Sequence, residues 1–266
     1  MRLLAAALAV AAVVMLWRYA SLLRDLKVRL SMTERELQHV QQSCSMLAPP
    51  SVVQKFISEG VTSSAETKVA TVMFIDLVGF TEISERLEAP ALAELLNGYF
   101  QRVSDAVTEH RGRIGTFLGD GVLAYFGAFE PNPWQADDAV VAALGLARAM
   151  REYSDEVHAR GLPKLNIGIG IHRGIGLAGL VGSHERMEYA FVGRTVNTAA
   201  RVQTLTRAHD CAILITEAVR EQLDPKIPLR AFPPVNVKGI REPLATFEVI
   251  DSTTTQPSES ASADKS

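Results

Sequence analysis

The run GRIGTFLGDGVLAYFG, residues 112–127, constrains the fold more than any other stretch of the chain. Apolar Ile114, Phe117 and Leu118 lead into Gly119-Asp120-Gly121, and Val122, Leu123, Tyr125 and Phe126 follow. A Gly-Asp-Gly tip between β-rich runs specifies a hairpin, so two antiparallel strands must meet here. Asp120 is then exposed and held at a fixed point, which suits a metal ligand. Thr116, in the strand before the tip, has no evident role from its surroundings alone.

Strands and helices alternate around this hairpin. KVATVMFIDLVGF reads as a strand ending in a glycine turn, and residues 83–110 carry helical periodicity. A long amphipathic helix follows the hairpin, with Pro133 near its start and Gly161 at its end. KLNIGIGIHRG and GLAGLVG read as two strands and RMEYAFVG as another. RTVNTAARVQTLTRA is a helix, CAILIT a strand, EAVREQL a short helix, and RAFPPVNVKG and ATFEVID closing strands. The mixture predicts an α+β domain over residues 67–250, with helices covering a mostly antiparallel sheet.

The N-terminus has a different character. Leu3 to Trp17 is unbroken apolar sequence, extended by Tyr19, Ala20, Leu22 and Leu23. Arg18 beside Trp17 and Tyr19 fits an interfacial position. Residues 1–23 are expected to be a transmembrane helix, entering the membrane through residues 3–20. A cleaved signal peptide is the alternative, because Ala-x-Ala triplets occur in the run. Arg18, Arg24, Lys27 and Arg29 flank its C-terminal side, against Arg2 and the α-amine on the other. That bias predicts a single-pass protein of the inner or plasma membrane, with the bulk of the chain cytoplasmic. Leu23, Leu26, Leu30, Thr33, Leu37, Val40, Cys44 and Leu47 then alternate at spacings of three and four. This predicts a parallel coiled coil over residues 24–47, a single amphipathic helix being the other reading. Pro49-Pro50 stops it, a short helix and polar linker fill residues 48–66, and residues 251–266 have the composition of a disordered tail. The net charge of −3 shows no nucleic-acid footprint. Cys44 and Cys211 form no CxxC pair, so neither a disulfide framework nor a zinc site is expected.

Three features carry chemistry. Asp76 sits where an apolar strand meets the turn Gly79-Phe80-Thr81, whose backbone N–H groups can cradle phosphate oxygens. If its strand neighbours the hairpin, Asp76 and Asp120 project from one sheet end, where two carboxylates can hold a pair of Mg²⁺ ions. Each Asp alone is an ordinary turn former. Asn197 and Arg201, at i and i+4 on one helix, share a face and can orient a hydroxyl and stabilise charge on a phosphate. On a generic helix the same pair is a solvated face. Arg186 and Lys238 are further cations able to meet a polyphosphate, or simply surface charges.

FIDLVGFT, FLGDGVLAYFG, EYAFVGRTVNTAAR and VKG, in this order, resemble the catalytic domain of the class III adenylyl and guanylyl cyclases. LAPPSVVQKF resembles the short helical transducer that often precedes such domains. The resemblance implies a ferredoxin-like βαββαβ core working as a head-to-tail homodimer with composite sites. It implies that Asp76 and Asp120 of one chain hold two Mg²⁺ or Mn²⁺ ions. It further implies that Asn197 of the other chain positions the ribose and Arg201 the α-phosphate, while the 3′-hydroxyl attacks and pyrophosphate leaves. Arg186, Lys238 and the Gly79-Phe80-Thr81 turn match triphosphate-binding positions.

The family also gives Thr116 a meaning. Adenylyl members carry a Lys there, and an Asp or Thr where this chain has Ala190; both read the adenine ring. Guanylyl members usually have Glu and a small polar residue, which also fails to match. The expectation is a membrane-anchored homodimeric adenylate cyclase making cyclic AMP from ATP, with weakened base selection. A guanylate or mixed-specificity cyclase, accepting GTP, and a nucleotide-binding regulator with little turnover are the alternatives.

Overall fold

The structure, a computed structural model, describes residues 65–183 and 187–251, together with Met15, Trp17, Arg18, Tyr19, Lys27 and Met32. Apart from those isolated positions and the boundary residues 65, 66 and 251, the expected transmembrane helix, coiled coil, transducer-like linker and tail, and Arg186, lie outside the described residues. Among the described residues no helix is long and apolar enough to cross a membrane.

In chain order the elements are β1 (Glu66–Val78), α1 (Phe80–Arg86), α2 (Ala89–Glu109), β2 (Arg113–Leu118), β3 (Gly121–Phe126), α3 (Gln135–Ala159), β4 (Asn166–Gly182), β5 (Met187–Val192), α4 (Arg194–His209), β6 (Ile213–Thr216), α5 (Glu217–Arg220), β7 (Leu229–Val235) and β8 (Leu244–Val249). The sheet runs β2-β3-β1-β4-β6-β8-β7, with β5 paired to β4. β1 lies antiparallel to β3 on one side and to β4 on the other, and β2 closes the hairpin on β3. With α2 and α3 as the crossing helices, this is the expected ferredoxin-like βαββαβ arrangement. Beyond it, β6 joins β4 in parallel, and β8 and β7 extend the sheet antiparallel.

Alternation along β1 divides the core. Met73, Ile75 and Leu77 lie in the cluster that also contains Tyr99 and Val103 of α2 and Val140, Leu146 and Met150 of α3. Ala70 and Val72 turn to the other face, where they meet Leu123, Tyr125, Phe191 and Ala199. The buried alanines of α3, Ala136, Ala139, Ala142, Ala143 and Ala147, supply its core face with small side chains. The opposite face is closed by the helix carrying Ala199, which packs against the long strand beside β1.

That strand corrects one expectation. KLNIGIGIHRG and GLAGLVG form a single 17-residue strand, β4, rather than two. Its first part pairs with β1 as far as Glu66↔Ala178, and its end pairs with β5 from Leu177↔Val192. The glycines within it accommodate close neighbours instead of turning the chain. A Cβ at Gly170 would overlap the backbone nitrogen of Gln203, so α4 rests directly on β4 there. The helical stretch expected over 83–110 is two helices. Leu87 is extended, Glu88 caps α2, and Pro90 stands in its first turn, where a missing N–H costs nothing.

Candidate active site

The sheet end carrying the acidic residues is built by register. Ile75 of β1 pairs with Val122 of β3, so the next step along β1 brings Asp76 opposite the hairpin tip. The tip is a two-residue link, Gly119-Asp120, between the paired Leu118 and Gly121. Gly119 has φ 67° and Asp120 is not in the left-handed region, the pattern of a hairpin turn whose first central residue must be glycine. Asp120 is thereby fixed beside Asp76, close enough for their carboxyls to share a hydrogen bond.

Partial burial disfavours the ionised form of Asp76, and the neighbouring Asp120 opposes it further. Together they push Asp76 up to about 6, against the lowering effect of Arg207. Arg207, in the last turn of α4, places Nη2 3.0 Å from Asp76 Oδ2. Tyr99 of α2 lies in the core cluster and feels the charge of both carboxylates. Its hydroxyl is buried without a hydrogen-bond partner, and burial and the charges of Asp76 and Asp120 raise its pKa.

These residues fit a divalent cation. Two carboxylates are forced together where an added positive charge would relieve their repulsion. Among the described residues no three His, Cys, Asp or Glu side chains converge. The protein offers two acidic ligands, and the remaining positions around an ion would fall to water and phosphate oxygens. Next to the pair, Gly79 has φ 74° and open space on its Cβ side, leading into Phe80 and Thr81 at the start of α1.

The second group of residues lies on α4. Asn197 is exposed and Arg201 partly buried, one turn apart. The Arg201 guanidinium lies 3.4 Å from where a Cβ on Gly239 would be. The Lys238-Gly239 turn therefore abuts Arg201, with Lys238 exposed. Arg201 and Arg207 are six residues apart, which on an α-helix means about 9 Å along the axis and about 120° around it. Arg207 is the residue turned to Asp76. The structure therefore brings Asp76 and Asp120 together, and Arg201 and Lys238 together, but does not turn Asn197 and Arg201 toward the acidic pair of their own chain.

The two positions expected to read the base lie on other strands. Thr116 is on β2, opposite Leu123 and just after a register shift, and its hydroxyl reaches no further than the Phe117 carbonyl at 3.5 Å. Ala190 is on β5, between two anchored aromatic residues. Tyr189 packs on Phe129 with ring centroids 5.0 Å apart, and the Phe191 carbonyl accepts a hydrogen bond from Tyr125 Oη at 3.3 Å. Sequence reasoning missed Arg207 and Tyr99. Arg207 falls off the Asn197–Arg201 stripe, and Tyr99 sits at helical spacing from Leu95 and Val103, so it reads as a core residue.

Residues 62–251 match the family profile described as the adenylate and guanylate cyclase catalytic domain, and the chain belongs to that family. It is 30% identical over 241 residues to an adenylate cyclase of Anabaena cylindrica, covering 86% of this chain and 47% of that protein. The chain thus spans about half the length of this curated relative. Among solved structures, the adenylyl cyclase CyaB from P. aeruginosa superposes with TM-score 0.67 at 32% identity, over 73% of this chain and 100% of that one. The guanylyl cyclase Cya2 does so with TM-score 0.65 at 30% identity, over 73% and 98%. The mixed α and β core is that of these cyclases.

Proposed function

We propose that the chain is a homodimeric class III adenylate cyclase, converting ATP to 3′,5′-cyclic AMP and pyrophosphate at sites shared between two copies. The observation that carries this reading is the arrangement around α4. One chain holds an acidic pair at Asp76 and Asp120 and a polar pair at Asn197 and Arg201, and it turns Arg207, not Arg201, to its own carboxylates. A second copy placed head to tail brings the polar pair of one chain to the acidic pair of the other. Exposed apolar residues support such a partner. Ile175 and Leu177 of β4, 66% and 47% exposed, share a face with Val192 of β5, which pairs with Leu177.

Asp76 and Asp120 would hold Mg²⁺ or Mn²⁺, which when bound supplies the positive charge that neutralises the triphosphate and acidifies the attacking ribose hydroxyl. The side-chain amide of Asn197 holds the ribose by donating to or accepting from its oxygens. Arg201 sets its fork of N–H donors against the α-phosphate, where negative charge accumulates during in-line attack. Lys238, carried beside Arg201, and the open turn at Gly79-Phe80-Thr81 meet the outer phosphates. Arg186 is assigned to the same task from the resemblance alone. The N-terminal apolar run, as a membrane anchor, and the heptad seam would hold two such domains together at the cytoplasmic membrane surface.

Guanylate or mixed specificity is the second reading. Thr116 and Ala190 leave room for it, because they supply neither the groups expected for reading adenine nor those expected for reading guanine. Turnover by the purified chain with Mn²⁺ and ATP or GTP tests both readings. Cyclic AMP as the main product supports the first, and cyclic GMP the second. Nucleotide binding without turnover of either substrate would instead identify a regulator.

A further inference from the structure

Arg207 occupies a position with two sides. On one side its Nη2 contacts Asp76 Oδ2 at 3.0 Å, an ion pair in which the Asp76 side chain is 21% exposed and that of Arg207 53%. On the other it lines a cavity of about 450 Å³, with Val78, Met150, Leu165 and Asp210 among its walls. A guanidinium is a fixed positive charge. While it holds Oδ2 it occupies a lone pair that a metal ligand must give up. Once a doubly charged cation sits on Asp76, the same guanidinium is repelled at close range. The cavity gives it room to turn without disturbing the helix, and Asp210, one turn further on, offers a carboxylate within that cavity.

We propose that Arg207 is a positioning residue that competes with the divalent cation for Asp76: it holds the carboxylate in the metal-free chain and turns into the adjoining cavity when a cation binds. The proposal rests on the metal-binding reading of Asp76 and Asp120. Its consequence is that Arg207 sets the cation concentration at which the site fills. It also keeps one of two crowded carboxylates paired until then.

The test measures Mn²⁺ binding to the full chain, with no nucleotide present, from the loss of the free-ion electron paramagnetic resonance signal. Arg207→Met removes the charge but keeps much of the apolar stem. It should tighten Mn²⁺ binding about three- to tenfold, the order expected for releasing a partly exposed ion pair and removing a nearby like charge. Arg207→Lys retains the charge and should stay within about twofold of wild type. Asp76→Asn should lose the tight component. Circular dichroism of each variant confirms that α4 and the sheet persist. If Arg207→Met binds Mn²⁺ no better than wild type, or more weakly, while Asp76→Asn is impaired, the competition is overturned. If Asp76→Asn binds as wild type does, the metal site itself is overturned, and the role of Arg207 with it.

Discussion

In the proposed function, Thr116 and Ala190 set how closely the base is read. In a pocket without dedicated polar partners, the base loses water that the protein does not replace. Guanine carries more donors and acceptors on its pairing edge than adenine and loses more on entry, which favours ATP over GTP by a modest margin. Thr116→Lys with Ala190→Asp adds contacts on the adenine edge and leaves Asp76, Asp120 and Arg201 untouched. The double substitution should lower KM for ATP and widen the ATP:GTP ratio of kcat/KM by about tenfold, the worth of one or two added hydrogen bonds. Steady-state kinetics with both nucleotides reads this directly. A ratio that does not move would place base reading on other residues.

A second residue acts on stability. His172 of β4 is partly buried and joined through Nδ1 to Thr216 Oγ1 at 2.9 Å. Burial lowers its pKa to about 4, against about 6.5 in the unfolded chain. The folded state therefore binds the proton less readily than the unfolded state. The stability associated with neutral His172 is complete above about pH 6.5 and is lost as the pH falls through about 4. Full loss amounts to about 3 kcal/mol. Urea unfolding at pH 7.5 and at pH 5 should show a steeper decline for wild type than for His172→Gln, which has no proton to take up. Equal declines would show that other groups dominate this range.

At the scale of elements, α4 is the part on which the site depends, and its seat is Gly170. The helix lies against β4 with no room for a side chain between them. Gly170→Ala must shift α4, and with it Asn197, Arg201 and Arg207. It should destabilise the domain by about 1–3 kcal/mol and reduce turnover more than KM, because positioning of Arg201 matters most in the transition state. Urea unfolding and kinetics on the same preparation test both effects.

The hairpin at Gly119-Asp120, the strand carrying Asp76 and the i,i+4 pair on α4 are legible in the sequence because each follows from local rules: turn chemistry, β alternation and helical period. β4 is not. Its glycines resemble turn signals, and only contact with α4 and Phe191 shows that they make space within one long strand. The break at Leu87 and Glu88 is signalled only by Pro90, which is equally at home in a first turn. Arg207 is illegible for a different reason. Nothing local marks a basic residue in the last turn of a helix as the partner of an aspartate 131 positions earlier. That pairing exists only once the sheet is assembled.

For the whole molecule, the proposed function requires that neither chain be complete alone. In that arrangement the acidic pair and the polar pair of one chain serve different sites, so a defect in either can be supplied by a partner that retains it. Asp76→Ala and Arg201→Ala chains, each purified and each inactive, should regain activity when mixed under conditions that form heterodimers. Each heterodimer has one site carrying both substitutions and one carrying neither. With free exchange and equal amounts, about half the dimers are mixed, each with one intact site of two. Restored activity should approach about a quarter of the wild-type value. Activity recovered to that level supports the shared site. A mixture that stays inactive, although heterodimers are demonstrated by mass, would contradict it.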